Sequence, residues 1–264
     1  MSVIVVLDDP AAESTVRALL VAGEQLIVTG GRVGGAAARN LGLRSSISDF
    51  VAFLDDDDYW EPTKLDEQVA LLSQESGDLG FTYTWFHETS GDVRLIPRWP
   101  FRQGNRIADY LVARRRLTHG DGYLQTSSLL LRRSVLGKIE WDETLPKHQD
   151  WDYIVRLSHA TSKPLCVVPR PLVHVAQGSP SSVSQRRNWR DSQTWLDKHG
   201  ASIGPRARAD FILTQIMRSS LASRQWGGVV RSFRELFRSG LPHPAAVIVG
   251  VSGILERTQP RGEL

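Results

Sequence analysis

The chain has 264 residues, enough for one substantial core with a smaller C-terminal lobe and too few for three independent domains. Its 41% apolar and 23% charged content is that of a soluble globular protein and argues against disorder. Thirty-two Lys and Arg against 29 Asp and Glu leave a formal charge of +3, too weak a bias to imply a polyanionic partner, and the single cysteine, Cys166, excludes an intrachain disulfide or a thiolate metal cluster and fits a reducing, cytosolic setting.

The opening MSVIVVLDDP has a short apolar run with no basic leader and does not read as a signal peptide. Residues 3 to 7 read as a buried strand, 12 to 22 as a short helix with Val16, Leu19 and Leu20 on one face, and 25 to 29 as a second strand. GGRVGG then forms a loop, 36 to 43 a helix, and 50 to 54 an apolar strand that ends in four consecutive aspartates, Asp55 to Asp58. Strands alternating with helices through short connections indicate a parallel sheet covered on both sides. Pro62 suits a first helical position, and Leu65, Val69 and Leu72 on one face predict a helix from about 61 to 74.

Strands are expected at 79 to 87 and 92 to 96, followed by an irregular stretch to 124 and a strand at 127 to 131. A helix at 150 to 159 and a strand at 165 to 168 come next. From about 182 the pattern is helical, broken near 200 to 205 and 240 to 244. The chain therefore divides into residues 1–180, an open α/β domain, and 181–264, a helical C-terminal region. The run Ala245 to Leu255 falls short of the roughly 20 residues that span a bilayer.

Ligands of open α/β sheets bind beyond the carboxyl ends of strands, which is where the four aspartates fall. Adjacent carboxylates repel, so a compact loop holding them needs a cation, strong donors or outward exposure. Oxygen-only donors suit Mg²⁺ or Mn²⁺, with substrate phosphates completing the shell. The plainer alternative is a solvated acidic turn, with Asp58 or a neighbour capping the next helix.

The segment GGAAARNLGLRSSISDFVAFLDDDDYWEP, Gly34 to Pro62, resembles the family 2 glycosyltransferases of the GT-A fold, with their glycine-bearing loop, ARN, apolar strand, LD-x-DD, aromatic and proline. TSSLLLRRSVLGKIEWDETLPKHQDWDYIVRL, Thr126 to Leu157, is similar to that family's acceptor-side segment. The resemblance covers roughly residues 3 to 175. It implies a Rossmann-like, mixed but mostly parallel sheet flanked by helices, with a helical C-terminal extension.

It also implies an inverting transfer from a nucleoside-diphosphate sugar to a hydroxyl acceptor such as a glycan, a lipid-linked sugar or a small metabolite. By the same resemblance Asp55 and Asp57 match the metal and diphosphate motif, and Asp8 and Asp9 match a nucleotide-binding segment, although Pro10 and Ala11 replace its usual glycine and serine. Arg39 is a candidate partner of the diphosphate, with Asn40 ordering its loop.

Asp150, at the start of a packed helix, matches the general base; Gln149 stands where a glutamate is usual. Asp152, Trp151 and His174 are acceptor-side or diphosphate-side candidates. Trp60, Trp85 and Trp99 are candidates for stacking on sugar faces, and His119 and Asp121 are weaker acceptor-side candidates. For Asp9, Asp150 and Asp152 helix capping is the bland alternative.

The spacing to ARN places MSVIVVLDD at the family's second strand, so the resemblance implies that a central first strand and its helix are missing here. That predicts a natural start further upstream; the alternatives are a degenerate member or one completed by a partner. A noncatalytic sugar-nucleotide-binding or scaffolding protein is the rival reading. A nucleotidyltransferase fits less well, because the glycine loop follows the second strand and not the first. Nucleic-acid binding has little support, since the late arginines are scattered among apolar helical positions. The C-terminal helices are candidates to cover the acceptor side, to form a homodimer, or to touch an anionic membrane peripherally at its inner face.

Overall fold

The computed structural model describes residues 1–88, 90–118, 122, 124–137, 139–177 and 187–256. His119 and Asp121 therefore lie outside the described residues. Two sheets organise the first two thirds. β1 (Ile4–Leu7) and β2 (Gln25–Val28) pair in parallel as a two-stranded sheet. The larger sheet runs β3 (Phe50–Val51), β7 (Leu129–Arg132), β5 (Leu79–Glu88), β8 (Leu165–Gln177) and β4 (Tyr59–Trp60), with β6 (Val93–Ile96) beside the far half of β5. The parallel β5–β8 ladder is the longest, and the other pairs in this sheet are antiparallel. The architecture is a mixed sheet flanked by helices, followed by a helix-rich C-terminal region.

Several elements differ from expectation for identifiable reasons. Helix α1 (Glu13–Leu19) buries no residue and leaves Leu19 77% exposed, because it flanks only the small sheet and its apolar face meets no second layer. The acidic strand is in ladder contact only at Phe50 and Val51; beyond them the chain leaves the sheet. Helix α3 (Lys64–Gln74) begins after Thr63, so Pro62 precedes its N-cap instead of occupying its first turn. A short helix, α4 (Ile107–Val112), occupies the stretch read as irregular; all four of its apolar ends, Ile107, Ala108, Leu111 and Val112, are buried. β8 passes through Pro169 and Pro171, which lack a ladder donor, by means of a register shift opposite Thr82 and Tyr83.

Helix α2 (Gly35–Ser45) bridges the two sheets. On one side Gly42 lies so close to β1 that a Cβ there would come within 3.3 Å of a Val6 methyl. On the other, Asn40 is 1% exposed and makes three bonds to the segment before α6 (Gln149–Ala160). Its amide donates to the Trp141 carbonyl at 2.9 Å and to Glu143 at 2.8 Å, while its oxygen accepts from the Trp141 amide at 2.7 Å. Trp141 stacks on Tyr153 at 4.2 Å and meets Phe53 edge-on at 5.3 Å, so this stitch is anchored in the main core. No ladder joins β1 to β3, and the two strands line opposite walls of one cleft.

Replacing Asn40 strands both polar groups of the Trp141 backbone in a dry site. Asn40→Ala is expected to lower unfolding free energy by about 2–4 kcal/mol. Urea denaturation followed by far-UV circular dichroism checks this, and a loss below about 0.5 kcal/mol would show that the stitch is dispensable.

Candidate active site

The cleft between the two sheets has a volume of about 1770 Å³ and is walled by β1, the glycine loop, α2, the end of β3 and the N-terminus of α6. Asp8, Asp9, Arg39, Asp55, Asp57, Asp150 and Trp151 all line it, which brings together residues up to 143 positions apart in sequence. Asp152 and His174 do not line it.

Asp8 sits at the tip of β1 with both oxygens engaged. Oδ1 accepts from the Thr29 hydroxyl at 2.5 Å and the Val33 amide at 2.9 Å, and Oδ2 from the Gly34 amide at 2.9 Å. The Thr29 hydroxyl above all, then the Gly34 amide, holds its pKa below the usual carboxylate value. Asp8 thus shapes the glycine loop, where Gly34 takes φ +88° to enter α2. Asp9 caps the 3₁₀ turn Pro10–Ala12 by accepting from the Ala11 amide at 3.1 Å, which is the helix-capping alternative weighed for it.

Arg39 projects from the first turns of α2 to Asp55 Oδ1 at 2.5 Å and lies over the Trp141 ring at 4.8 Å. The aspartates that follow form a tight turn closed by the Asp58 amide on the Asp55 carbonyl at 3.1 Å. Ser127, fully buried, braces this turn from below: its Oγ accepts from the Asp55 amide at 3.1 Å and donates to Asp58 Oδ2 at 2.6 Å. Burial, opposed by that Ser127 bond but reinforced by Asp55 and Asp57, pushes the Asp58 carboxyl up to about 7, and its Oδ1 is buried without a hydrogen-bond partner among the described residues. Asp57 is raised too, by burial and then by Asp56 and Asp55.

Asp150 occupies the first turn of α6, at the opposite wall. The preceding His148 adopts φ +60°, a left-handed conformation uncommon for a side chain of this size, and turns the chain sharply into the helix. Its ring is held for that turn by stacking on Trp151 at 4.5 Å, by edge contacts with Trp195 and Phe211, and by Nε2 at 2.9 Å from Ser192 Oγ. Burial, aided by Lys147, keeps this imidazole well below its ordinary pKa and therefore neutral. Asp150 accepts from the Trp151 amide at 2.9 Å. Burial raises its pKa to about 6; Arg39 opposes the rise and Asp55 adds to it, so the two walls sense one another electrostatically.

Two candidates are corrected. Asp152 is fully buried and holds α6 against α7 (Trp189–His199), bonding Arg156 at 2.6 Å, Lys198 at 2.6 Å and His199 at 2.8 Å. Burial alone would raise its pKa, but His199, Arg156 and Lys198 outweigh it and hold it well below the usual range. It is buried and takes no part in the cleft lining. His174 has both ring nitrogens engaged, Nε2 with Glu61 at 2.7 Å and Nδ1 with His87 at 2.9 Å, and Tyr59 stacks on its face at 4.2 Å. On β8 it alternates with the buried Val173 and Val175, so it lies on the other face of the strand from those core residues. Of the tryptophans, Trp60 is tied to the Ser127 carbonyl at 2.8 Å and covers the buried Lys64, while Trp99, 43% exposed, packs under Arg116.

The sequence reading missed Ser127, Trp141 and His148, all of which act on the named residues from behind. Nothing local marked any of the three: Ser127 meets Asp58 across 69 positions and Trp141 meets Asn40 across 101.

Among the described residues no three His, Cys, Asp or Glu side chains form a group able to hold a metal by themselves. Asp55 and Asp57 nevertheless offer oxygen donors at the cleft, and the burial that chiefly raises Asp57 and Asp58, with the smaller repulsion among neighbouring aspartates, is what a cation would offset. These residues fit a hard divalent ion whose shell is completed by phosphate and water oxygens.

A sequence model described as glycosyl transferase family 2 matches residues 3–139. The amylovoran biosynthesis glycosyltransferase AmsB of Erwinia amylovora is 26% identical over 65% of this chain and 58% of its own length. An uncharacterized glycosyltransferase of Methanocaldococcus jannaschii is 24% identical over 47% and 41%. The chain thus spans about half the length of these curated relatives.

Among solved structures, S. aureus TarS residues 1–349 in complex with UDP-GlcNAc superposes with a TM-score of 0.58 over 97% of this chain and 83% of that one, at 13% identity. The mannosyltransferase PcManGT from Pyrobaculum calidifontis, in complex with GDP-Man and Mn²⁺, gives 0.55 over 96% and 70%, at 17% identity. These likenesses fix the fold as GT-A-like. With the family model spanning more than half of its residues, the chain belongs to glycosyl transferase family 2.

Proposed function

We propose that the protein transfers a sugar from a nucleoside-diphosphate sugar to a hydroxyl acceptor with inversion. The observation that carries this reading is the meeting of Asp150 with the Arg39–Asp55 pair across one cleft, a raised-pKa carboxylate opposite a charged pair suited to phosphates. Asp150 removes the proton from the acceptor hydroxyl. The oxygen bonds to the anomeric carbon on the face opposite the diphosphate, whose bond to that carbon breaks with the electron pair leaving on phosphate oxygen. The configuration at that carbon inverts.

Arg39 pairs with the departing diphosphate, and Asp55 and Asp57 would hold Mg²⁺ or Mn²⁺. When bound, such an ion neutralises charge developing on the leaving group. The nucleoside lies against the glycine loop that Asp8 orders, with Asp9 at its rim. Trp151 forms part of the acceptor wall. The relatives bound to UDP-GlcNAc or to GDP-Man and Mn²⁺ support the donor class and the ion.

One observation favours a second reading, a noncatalytic sugar-nucleotide-binding protein. The glycine loop is carried by a two-stranded sheet that shares no ladder with the sheet carrying Asp55. Calorimetry with UDP, GDP and TDP separates the two, since binding without turnover across acceptors favours the second.

With purified protein, Mn²⁺ and a donor panel, nucleoside diphosphate release is expected to fall by about 10²-fold or more in Asp57→Ala and Asp150→Ala. Equal release from all three proteins would overturn the assigned roles.

The pH dependence follows from the raised carboxyl. A base must be ionised, so turnover should climb as pH rises through about 6 and level off above it. The sign for stability is the reverse. A carboxyl whose pKa is raised on folding destabilises the fold once it is ionised, a cost that grows above the unfolded value near 3.8 and is complete above about 6. At pH 8 Asp150→Asn should therefore be inactive yet more stable by on the order of 1–3 kcal/mol, read from urea midpoints. A variant no more stable than the parent would remove the argument for a strained base.

A further inference from the structure

The last two helices are built inside out. On α10 (Trp226–Leu236) the side packed against the protein carries Gly228, Ser232 and Glu235, while Trp226, Val230 and Phe233 are more than half exposed. Phe237 and Leu241, just beyond the helix, continue the stripe and are both 89% exposed. On α11 (Pro244–Ser252) the packed side is Ala245, Ala246, Val249 and Gly250, and Ile248 and Val251 face outward.

Small residues on the inner faces explain how the helices seat so closely. A Cβ on Gly250 would lie 3.0 Å from the Leu213 carbonyl, and one on Gly253 only 2.3 Å from the Arg218 carbonyl. Of the 21 large apolar side chains that are exposed among the described residues, ten fall within residues 226 to 255. A helix facing water alone gains nothing from this arrangement.

The charge carried by this segment leans to one sign, although Asp197 of α7 lies 3.6 Å from Arg231 at its edge. From residue 218 to 256 the carboxylates are Glu235, which is buried and paired with Arg208 and Arg231, and Glu256, which is paired with Arg187 and Arg218. Arg224, Arg234 and Arg238 are exposed and make no ion pair among the described residues. Aromatic and aliphatic side chains bordered by unpaired arginines match the boundary between acyl chains and anionic headgroups. No helix among the described residues is long and apolar enough to cross a membrane.

We infer that α10, Leu241 and α11 form a docking surface for an anionic lipid bilayer, on which the protein lies without spanning it. The six-residue π-helix Ile212–Met217, against which both helices pack, also contributes Thr214 and Gln215 to the cleft wall, so the surface and the cleft share one structural element. This inference does not depend on the transferase reading.

Flotation of the full chain with vesicles of phosphatidylcholine containing phosphatidylglycerol tests it. Binding is expected to the mixed vesicles, to weaken in high salt, and to be weaker to phosphatidylcholine alone. Phe237→Ser should lower the partition coefficient about tenfold, and Arg234→Glu with Arg238→Glu should abolish the preference for phosphatidylglycerol. Because Phe237 is solvent-exposed, the variant's unchanged circular dichroism and melting curve serve as its folding control. Brominated phosphatidylglycerol should quench tryptophan emission less in Trp226→Phe. No vesicle binding, or binding indifferent to Phe237→Ser, overturns the inference. So does a concentration-dependent dimer that Phe237→Ser dissolves in the absence of vesicle binding, which would assign the surface to a second copy.

Discussion

The ion pair between Arg39 and Asp55 is the constraint on which the rest of the site depends. It spans from α2 to the turn at the end of β3, and its cation rests on Trp141, which belongs to the core. A partly exposed pair of this kind contributes only about 1 kcal/mol on its own. Its importance is geometric, because the neighbouring residue Asn40 fixes α2 to the backbone at Trp141 at the same time. One helical turn therefore sets the distance between the glycine loop, the acidic turn and the segment leading into α6. A lysine at 39 would keep the charge but lose the planar seat over the indole.

Given that frame, the environments of the carboxylates diverge although their chemistry is identical. Asp150 and Asp152 lie two residues apart on α6, which puts them on opposite sides of the helix. Asp152 meets Arg156, Lys198 and His199 and stays ionised to well below the usual range; Asp150 has burial, one backbone amide and the distant Arg39, and is pushed up to about 6. The first carboxylate fastens α6 to the C-terminal helices, and that fastening keeps the second rigid. A base that titrates near neutrality needs such support, because the same burial that tunes it also destabilises its charged form.

Much of this was legible from residue order. The acidic turn at a strand end, the ARN helix and the amphipathic α6 follow from periodicity and spacing, and the family resemblance named their roles. What escaped is what depends on contacts far apart in sequence. The strand expected at 165 to 168 runs on to Gln177 as β8, with a bulge at the prolines where the Thr82 hydroxyl bonds the Arg170 carbonyl. His174 lies on the strand face opposite Val173 and Val175, and its partners, Glu61 just after β4 and His87 on β5, are too distant in sequence to be read locally. The exposure of Leu19 on α1 had no local sign either, since an apolar helical face says that something should cover it and not whether anything does.

The C-terminal region joins these threads. α7 clamps α6 through Asp152, and Ser192 on α7 holds the His148 ring that turns the chain into Asp150. Phe211, which ends α8 (Pro205–Phe211), closes the same aromatic cage, and the π-helix that follows directly carries Thr214 and Gln215 to the cleft. A π-helix widens the turn and rotates the side chains after it relative to a continuous α-helix, which suits a segment that serves a cleft and two packed helices at once. Packed side chains connect α10 and α11 through the π-helix to Phe211 and the His148 ring beside the base. A surface that engages those helices therefore bears on an element that also lines the cleft, and is not a detached anchor.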